Sequence, residues 1–385
     1  MKLFEDKQRT DNSYANHFYN KYDFYDSRSL PFAIQIRKVL NQWFAKYPKS
    51  EKRDLKKRFM KEFYSAFFEL FIHELFLRQG FLLEVHPNVP GSNKKPDFLV
   101  KGNEMEFYLE AKVATDKTNS ERSIENRIKQ LYDSLNTIES LNFYICIREL
   151  ELKSENQPSA KKIKRYLESE FNKYDPDEVD NKIKIHGPDS LDTITYEDQN
   201  IKLSATFIPR SKQLRGKKDV KSIGMYPFQT FKESVENSIK TAVEKKATRY
   251  GELDKPYLIC INSISEKGLG YEDIMNSFFG SLQVTYSSNP KNNDLHYTRA
   301  LDGMFLNSYG QMYTRVSAVL ITHVYPSTLH VANHWLVKHP FAAKELIFDP
   351  FQLQKVEVID DNIETIKGRT IKEILELSDE WTSSV

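Results

Sequence analysis

The hydrophobic pattern changes from a helical to an alternating period within one short stretch, and this change constrains the fold most. Apolar residues recur at helical spacing from Leu30 to Gly80, most densely from Phe59 to Phe76. After Gly80, residues 81–85, 97–100 and 105–113 have the apolar content or the alternation of β-strands. This order predicts an α/β protein in which a helix precedes three strands.

The elements that follow suggest how the chain is divided. Residues 120–138 have one apolar helical face, and residues 143–147 are an apolar strand, so residues 59–147 predict an α-β-β-β-α-β core. The stretch 153–200 is polar and contains three prolines. Beyond it we predict strands at 201–208, 256–262 and 316–324 and a helix at 231–250. We therefore predict a domain at 1–150, a charged hinge or excursion at 151–200, and a C-terminal α/β domain at 201–385.

A helix-then-strand pattern occurs twice in the chain. Residues 125–129 (ENRIK) precede the apolar strand YICI, and residues 236–240 (ENSIK) precede the apolar strand YLICI. Two ordinary helix–strand units would give the same echo without common descent. We take the similarity only as an indication that the second half is also α/β.

Composition limits the classes of protein that this chain can represent. Its 385 residues include 56 Lys and Arg against 54 Asp and Glu, so any nucleic-acid contact must come from local patches. With 39% hydrophobic residues the chain can bury a core, and Cys146 and Cys260 lie in apolar runs that argue against a disulfide framework. No run of 18 apolar residues and no apolar leader occur. We expect a soluble, cytoplasmic protein without membrane contact.

The residues with the clearest chemical meaning are Asp97, Glu110 and Lys112. Because side chains alternate along a strand, Glu110 and Lys112 point to the same face. Pairing of segments 97–100 and 105–113 through a turn at Gly102-Asn103 carries Asp97 to Glu110. Two adjacent carboxylates repel unless a divalent cation neutralises them, and carboxylate oxygens suit Mg²⁺. With Lys112 orienting a water and stabilising charge on a phosphate, the pattern favours metal-assisted phosphodiester hydrolysis.

These residues resemble the signature of the PD-(D/E)XK nuclease superfamily, which includes restriction endonucleases. The resemblance covers residues 59–147, about a quarter of the chain, and implies a restriction-endonuclease-like α-β-β-β-α-β core. It implies that Asp97 and Glu110 bind metal and that Lys112 is the catalytic lysine. Many members add an acid from the first helix, about eleven residues before the glycine that ends it. Glu69 has this spacing from Gly80 and is preferred as the third metal ligand, with Glu74 in reserve. The implied metal is Mg²⁺, with Mn²⁺ as an alternative.

The chain departs from one branch of this superfamily. Some exonucleases carry a Gln and a Tyr four residues apart on the helix after the lysine. Gln130 is present on the predicted helix, but Ser134 stands where the Tyr would be. The sequence therefore does not support that branch.

Similar local patterns elsewhere lack the same context. The triplets at 151–153 and 244–246 also read Glu-x-Lys, and we interpret both as solvated faces. At Asp97, Glu110 and Lys112 the alternative is an ion pair on a half-exposed sheet. For Glu69 the alternative is a solvent-facing acid. Among the histidines, His330 and His334 have the helical spacing of two zinc ligands, but without a Cys or an H-E-x-x-H motif, so we expect packing or phosphate contacts.

Two basic segments are predicted to meet a nucleic-acid backbone. The first lies just before the helix that carries Glu69, and the second has the composition of a loop. Their proposed phosphate-binding residues are Lys56, Lys57 and Arg58 in the first segment, and Arg210, Lys212, Arg215, Lys217 and Lys218 in the second.

The resemblance implies a magnesium-dependent endonuclease that hydrolyses DNA phosphodiester bonds, in restriction or in defence against foreign DNA. A double-strand cut favours a symmetric homodimer, because one site cuts one strand. Two alternatives stay open: a non-catalytic nucleic-acid-binding protein that keeps the nuclease fold, and an RNA-directed nuclease. A requirement for a small-molecule trigger or a protein partner also stays open.

Overall fold

The structure is a computed structural model that describes residues 1–13, 20–115, 119–218, 220–227, 234–265, 268–286, 295–378 and Trp381. The described residues form two compact units. The first unit contains residues 1–13, 20–115 and the part of the chain from 234 onward, and the second contains residues 119–218 and 220–227. The second unit is thus inserted in the sequence of the first.

The α-helices, in chain order, are α1 (Lys21–Ser27), α2 (Pro31–Lys46), α3 (Lys52–Lys61), α4 (Phe63–Arg78), α5 (Asn119–Leu135), α6 (Ala160–Phe171), α7 (Pro176–His186), α8 (Val235–Ala247), α9 (Tyr271–Phe279) and α10 (Ile371–Ile374). Helices α5, α6 and α7 belong to the second unit. The helical region predicted from residue 30 to 80 is therefore three helices, α2 to α4. The predicted start of α8 at residue 231 lies outside the described residues.

The strands are β1 (Leu82–Val85), β2 (Phe98–Gly102), β3 (Met105–Ala114), β4 (Phe143–Leu152), β5 (Ile194–Glu197), β6 (Ile201–Pro209), β7 (Ile223–Met225), β8 (Tyr257–Ser263), β9 (Leu282–Tyr286), β10 (Leu295–Arg299), β11 (Leu306–Asn307), β12 (Gly310–Gln311), β13 (Ala318–His323), β14 (Asn333–Lys338), β15 (Lys355–Ile359) and β16 (Asn362–Ile366). Strands β4 to β7 belong to the second unit.

One large mixed sheet organises the first unit. Its eight strands run in the order β1-β2-β3-β8-β13-β14-β15-β16, with β3, β8 and β13 parallel. Helix α4 is apolar almost all round and packs on one face, where Phe76 lies 6.1 Å from Phe107 between ring centroids. On the other face Tyr108 and Ile259 share a core with Ile239 of α8. The α/β class predicted from the sequence is confirmed.

The strand that follows β3 in the sheet is not the one predicted. The segment 143–147 does form a strand, β4, but β4 pairs with β6 and β7 in the four-stranded sheet of the second unit. Beside β3 lies β8, which pairs with it in parallel from Tyr108 to Ala114. The assignment of 120–147 to the core is therefore wrong, because the echoing segment α8–β8 takes that place.

The polar stretch 151–200, predicted as a charged hinge or excursion, has regular secondary structure and lies within the second unit. It contains α6 and α7, and the buried residues Ile163, Leu167 and Phe171 of α6 pack with Ile145 and Phe207 of the sheet. Only one face of α6 is apolar, so its composition is polar although the helix is part of a core. The predicted division at 150 and 200 differs from the one observed, in which a single inserted unit extends over both boundaries.

Candidate active site

The β2–β3 hairpin positions the first pair of acids. The strands are antiparallel, and Gly102 pairs with Met105 across a turn whose central residues, Asn103 and Glu104, both have positive φ (50° and 59°). Positive φ at both central residues is typical of the tight turn that matches strand twist. This register places Phe98 opposite Leu109. Asp97, one residue before Phe98, therefore lies next to Glu110, one residue after Leu109. The predicted pairing of the two segments is confirmed.

Asp97 contacts the strand that carries Glu110. Its Oδ2 accepts a hydrogen bond from the backbone N–H of Ala111 at 2.7 Å. Burial, followed by repulsion from Glu110 and Glu69, raises the pKa of Asp97 well above its usual range, although the Ala111 N–H and Lys246 act in the opposite direction. Within the described parts of the chain no Lys, Arg or His forms an ion pair with Asp97. Among the described residues Asp97 therefore has carboxylate neighbours and no ion-pair partner.

Glu110 is held by residues from α8 and the segment after it. The carboxylate is 1% exposed, and Oε1 forms an ion pair with Lys246 Nζ while Oε2 accepts a hydrogen bond from the Tyr250 hydroxyl. Arg249 lies further away, at 3.8 Å from Oε1. Lys246 is 136 residues from Glu110 in the sequence. The Glu-x-Lys triplet at 244–246 is thus not a solvated face, because Lys246 is a partner of the central acid.

Glu69 approaches the same acids from helix α4. It is 4% exposed, so it does not face solvent, and it accepts hydrogen bonds from the Tyr47 hydroxyl at 2.6 Å and from Arg58 Nη2 at 2.8 Å. Arg58 also contacts the second carboxylate oxygen, which makes the ion pair bidentate. The pKa of Asp97 is raised in part by Glu69. The structure thus brings Glu69 and Glu110 each within electrostatic reach of Asp97.

The reserve acid, Glu74, belongs to a different cluster. It is fully buried and its Oε1 bonds to Lys46 Nζ at 2.6 Å and to Arg78 Nε at 2.7 Å. Glu69, and not Glu74, is among the largest causes of the raised pKa of Asp97. This difference favours Glu69 over Glu74 as the acid supplied by the helix.

Lys112 shares strand β3 with Glu110. It lies two residues after Glu110 on β3, opposite Ile261 of β8, and its side chain is exposed. The alternation of the strand puts Lys112 and Glu110 on the same face of the sheet. Of the four predicted residues, Glu69 and Glu110 are buried, Asp97 is partly exposed, and Lys112 reaches solvent.

The described residues contain no ready-made metal centre. Nowhere in the described ranges do three His, Cys, Asp or Glu side chains lie in a metal-binding arrangement. At the acids named above, two of the three carboxylates already bond to a side-chain cation, Arg58 or Lys246. A divalent ion would need the carboxylate oxygens that these cations contact.

The basic segments differ from the expectation. Arg210 is 2% exposed and donates hydrogen bonds to the carbonyl oxygens of Phe143, Lys217 and Val220 at 3.0–3.3 Å. These bonds stabilise the loop that contains Lys217 and Val220, and the buried guanidinium does not reach a phosphate backbone. Arg215 bonds to Asp177 at 2.9 Å.

In the first segment Lys56 bonds to Glu5 at 2.6 Å, and Arg58 is committed to Glu69. The exposed members that fit the prediction are Lys57, Lys212, Lys217 and Lys218. Asp219, within the second segment, lies outside the described residues.

The histidines of the C-terminal region have separate packing roles. His330 lies in a short 3-10 helix and His334 on β14, so they do not share a helix face. His334 Nε2 accepts the Gln354 N–H at 2.9 Å, and burial lowers the pKa of His334 to about 4. The packing interpretation fits these contacts.

The residues missed by sequence reasoning are those of the α8 end, Lys246, Arg249 and Tyr250. Tyr250 packs edge-to-face on Tyr257 at 5.8 Å and reaches Glu110 from there. One signal was present: Lys246 and Tyr250 are four residues apart and lead into an apolar strand. Gln130 and Ser134, which were compared with the Gln and Tyr of an exonuclease branch, lie on α5, and α5 belongs to the second unit.

Comparison with protein-family models, with curated proteins and with solved structures finds no match. Among the helices of the described ranges, none has both the length and the apolar character needed to cross a bilayer.

Proposed function

We propose that this chain is a magnesium-dependent nuclease that hydrolyses DNA phosphodiester bonds as an endonuclease. The site is built from Asp97, Glu110 and Lys112, with Glu69 as the acid from the helix. A role in restriction or defence, and a symmetric homodimer for double-strand cuts, are parts of the proposal that rest on the family resemblance alone.

The order of elements supports the proposal once the insertion is removed. Helix α4 is followed by β1, β2 and β3, and then by α8 and β8 in the same unit. The resulting order is α-β-β-β-α-β, with β8 parallel to β3. This is the element order of the PD-(D/E)XK core. Its last helix and strand are α8 and β8, and not the segments at 120–138 and 143–147 that the sequence predicts.

The observation that carries the proposal is the state of Asp97. Its carboxyl group lies among acids, has no ion-pair partner in the described ranges and has a raised pKa. A divalent cation would stabilise the ionised form of this group and relieve the repulsion with Glu110 and Glu69. Carboxylate oxygens are hard ligands that fit Mg²⁺ or Mn²⁺.

Each residue then has a chemical task. Asp97 and Glu110 would hold the metal, which when bound polarises the phosphoryl oxygen and lowers the pKa of water. The Ala111 N–H fixes the orientation of Asp97, and Tyr250 fixes that of Glu110. Lys112 provides a positive charge for the developing charge on the phosphate. Lys246 keeps the buried Glu110 neutralised when no metal is bound.

Two observations favour alternatives that the same experiment must separate. The Lys246–Glu110 ion pair neutralises the acid without a metal, as a non-catalytic nucleic-acid-binding protein would require. Lys246 and Tyr250 also repeat, with Lys for Gln, the four-residue spacing found in exonuclease branches. Cutting from strand ends is therefore compared with internal cutting.

The test is cleavage of supercoiled plasmid, linear duplex and RNA in Mg²⁺ and in EDTA. We expect Mg²⁺-dependent nicking or linearisation of the plasmid, abolished in Lys112→Ala and Asp97→Asn. Lys153→Ala is the matched control, since Lys153 ends a Glu-x-Lys triplet in the second unit and pairs with Glu197.

Degradation of linear but not circular DNA would show that the chain is an exonuclease. Cleavage of RNA in place of DNA would show that RNA is the substrate. DNA binding without cleavage, weakened steeply by salt, would support the non-catalytic alternative and contradict the proposal.

A further inference from the structure

A large cavity lies in the first unit, apart from the acids. Its volume is about 730 Å³, and side chains from α9, the segment after β14, and the β15–β16 hairpin line it. Small-molecule sites typically have volumes of about 300–1,000 Å³ and combine an apolar lining with a few polar groups. The size therefore suits a ligand as large as a nucleotide.

The floor of the cavity is aromatic and uncharged. Phe278 and Phe305 are buried with ring centroids 5.0 Å apart, and His339 lies 4.1 Å from Phe305. Burial lowers the pKa of His339 to about 4, and its Nδ1 accepts the Phe341 N–H at 3.0 Å, so the ring is neutral and fixed. Phe279 and Phe341 keep part of their surface exposed. Flat apolar surfaces of this kind stack on nucleobases.

Two cations, Arg299 and Lys338, and two carboxylates, Glu345 and Asp361, also line the cavity. Arg299 is held in place by the Gly280 carbonyl oxygen at 2.7 Å and by Asn276 Oδ1 at 3.1 Å, and its side chain is 21% exposed. Lys338 bonds to Glu345 at 2.7 Å and is 25% exposed. Both Arg299 bonds use Nη1, and Nη2 lies 3.9 Å from Glu272 Oε2, so a phosphate oxygen would meet Nε and Nη2 beside that carboxylate. Aromatic faces beside a fixed cation match a base joined to a phosphate, and a purely aliphatic ligand would use neither.

Strand registers relate this cavity to the acids. Leu109, next to Glu110, pairs with Leu258, which pairs with Ala318, which pairs with Lys338. Three strand spacings of about 4.8 Å place the Lys338 backbone roughly 14 Å from that of Leu109. This separation is roughly four steps along a DNA strand. By the same registers the Lys338 side chain shares the sheet face of Leu109, whereas Glu110 points to the other face, so the distance between the backbones is the relation that these registers give.

We infer that this cavity binds the base and phosphate of one nucleotide, turned out of a strand whose backbone is cut at Asp97 and Glu110. The base would stack on Phe279 and Phe341, and Arg299 would contact the phosphate. The placement of that nucleotide within a DNA strand rests on the proposed function, but the recognition of a base with a phosphate does not. Extruding a base from a duplex breaks its stacking and pairing, and it is least costly for mismatched, damaged or unpaired bases. The cavity would therefore read the chemical identity of one base.

The experiment measures binding in the full chain, without added metal. Each of the common deoxynucleoside monophosphates is titrated by calorimetry, and an oligonucleotide carrying a fluorescent purine analogue reports unstacking. Variants Phe341→Ala and Arg299→Met remove the stacking surface and the cation. The controls are Lys344→Met, an exposed lysine outside the cavity lining, and Tyr309→Ala, where the side chain is 91% exposed. Thermal melting confirms that each variant is folded.

We expect saturable binding that weakens on the order of tenfold in Phe341→Ala and in Arg299→Met, as expected for one lost stacking or charged contact. The controls should bind both probes as the unchanged chain does, and Lys112→Ala should bind the monophosphates as the unchanged chain does. Binding of monophosphates alone would identify a free nucleotide as the ligand, and a fluorescence increase on the oligonucleotide would identify a base in a strand. Absence of saturable binding to either probe, or binding equal in the folded cavity variants, would overturn the inference. Loss of cleavage in Lys112→Ala with cavity binding intact keeps the two proposals distinguishable.

Discussion

Two helix–strand segments of similar sequence, α5–β4 and α8–β8, have different positions in this molecule. Both have an amphipathic helix that contains the motif Glu-Asn-x-Ile-Lys and a following apolar strand that contains a cysteine. β4 lies in a four-stranded sheet of the second unit, whereas β8 lies beside β3 in the eight-stranded sheet. The difference teaches that local pattern defines an element but not its partner strand, because partner choice depends on contacts distant in sequence.

The helices of these segments also differ in what their charges do. On α5, Lys129 pairs with Glu125 of the same helix, an ion pair near the surface. On α8, Lys246 pairs with Glu110 of another element, and both side chains are largely removed from solvent. The first is a local contact that any helix can form. The second connects α8 to the candidate site.

Truncating a buried residue in each strand tests whether the two units are separate in stability. Ile259 on β8 and Ile145 on β4 are both fully buried, so replacing either with Ala should cost about 2–5 kcal/mol in the free energy of unfolding of its own unit. The three tryptophans, Trp43, Trp335 and Trp381, all belong to the first unit. The unfolding transition followed by tryptophan fluorescence should therefore shift for Ile259→Ala only, while the transition followed by circular dichroism should change for both variants. Equal fluorescence shifts for the two variants would show that the units unfold as one.

Part of this organisation was accessible from the sequence. The pairing of β2 with β3, and hence the approach of Asp97 to Glu110, follows from a tight turn and strand alternation between neighbours in the chain. The spacing of Glu69 from Gly80 predicts a metal-binding acid on the helix. It predicts neither the burial of Glu69 nor its bond to Arg58, because nothing in the charged segment before α4 marks Arg58 as a partner of a buried acid.

The rest depended on the insertion. A separate unit between β3 and α8 places a plausible helix and strand, α5 and β4, at the expected distance after Lys112. Their periodicity is correct for the elements and carries no information on which sheet they join. Lys246, 136 residues from Glu110, could be linked to it only through the fold.

Removing the lysine of each ion pair sharpens the comparison between α8 and α5. Lys246→Met leaves the buried Glu110 without its main cation, and we expect a loss of about 3 kcal/mol in the free energy of unfolding of the first unit. Lys129→Met breaks a surface pair and should cost about 0.3–0.5 kcal/mol. Urea unfolding, followed by tryptophan fluorescence for the first variant and by circular dichroism for the second, measures both.

Magnesium provides a second measurement for the same pair of variants. If Lys246 and the metal compete for Glu110, Mg²⁺ should raise the melting temperature of Lys246→Met more than that of the unchanged chain, because a bound ligand stabilises the folded state that binds it. Lys129→Met should respond as the unchanged chain does. An identical response of all three proteins would separate Lys246 from the metal site.

The smallest expected effect concerns the pH dependence of stability, which should have opposite signs for two aspartates, Asp97 in the first unit and Asp177 in the second. Burial, followed by repulsion from Glu110 and Glu69, raises the pKa of Asp97 in the folded state, so the folded chain binds this proton more tightly than the unfolded chain does. Its contribution to stability is fully present below the unfolded pKa and is lost as pH rises through the folded pKa. A hydrogen bond from Arg215 lowers the pKa of Asp177, so its contribution is present above the unfolded pKa and is lost on acidification through the folded pKa.

Unfolding curves recorded from acidic to mildly alkaline pH should show these opposite slopes. Asp97→Asn should remove the fall in stability of the first unit as pH rises, and Mg²⁺ should oppose the same fall in the unchanged chain by favouring the ionised carboxylate. Asp177→Asn should weaken the loss of stability at acidic pH in the second unit. If Asp97→Asn left the pH dependence of tryptophan-monitored unfolding unchanged, the carboxylate at position 97 would not be the strained acid on which the metal site is proposed.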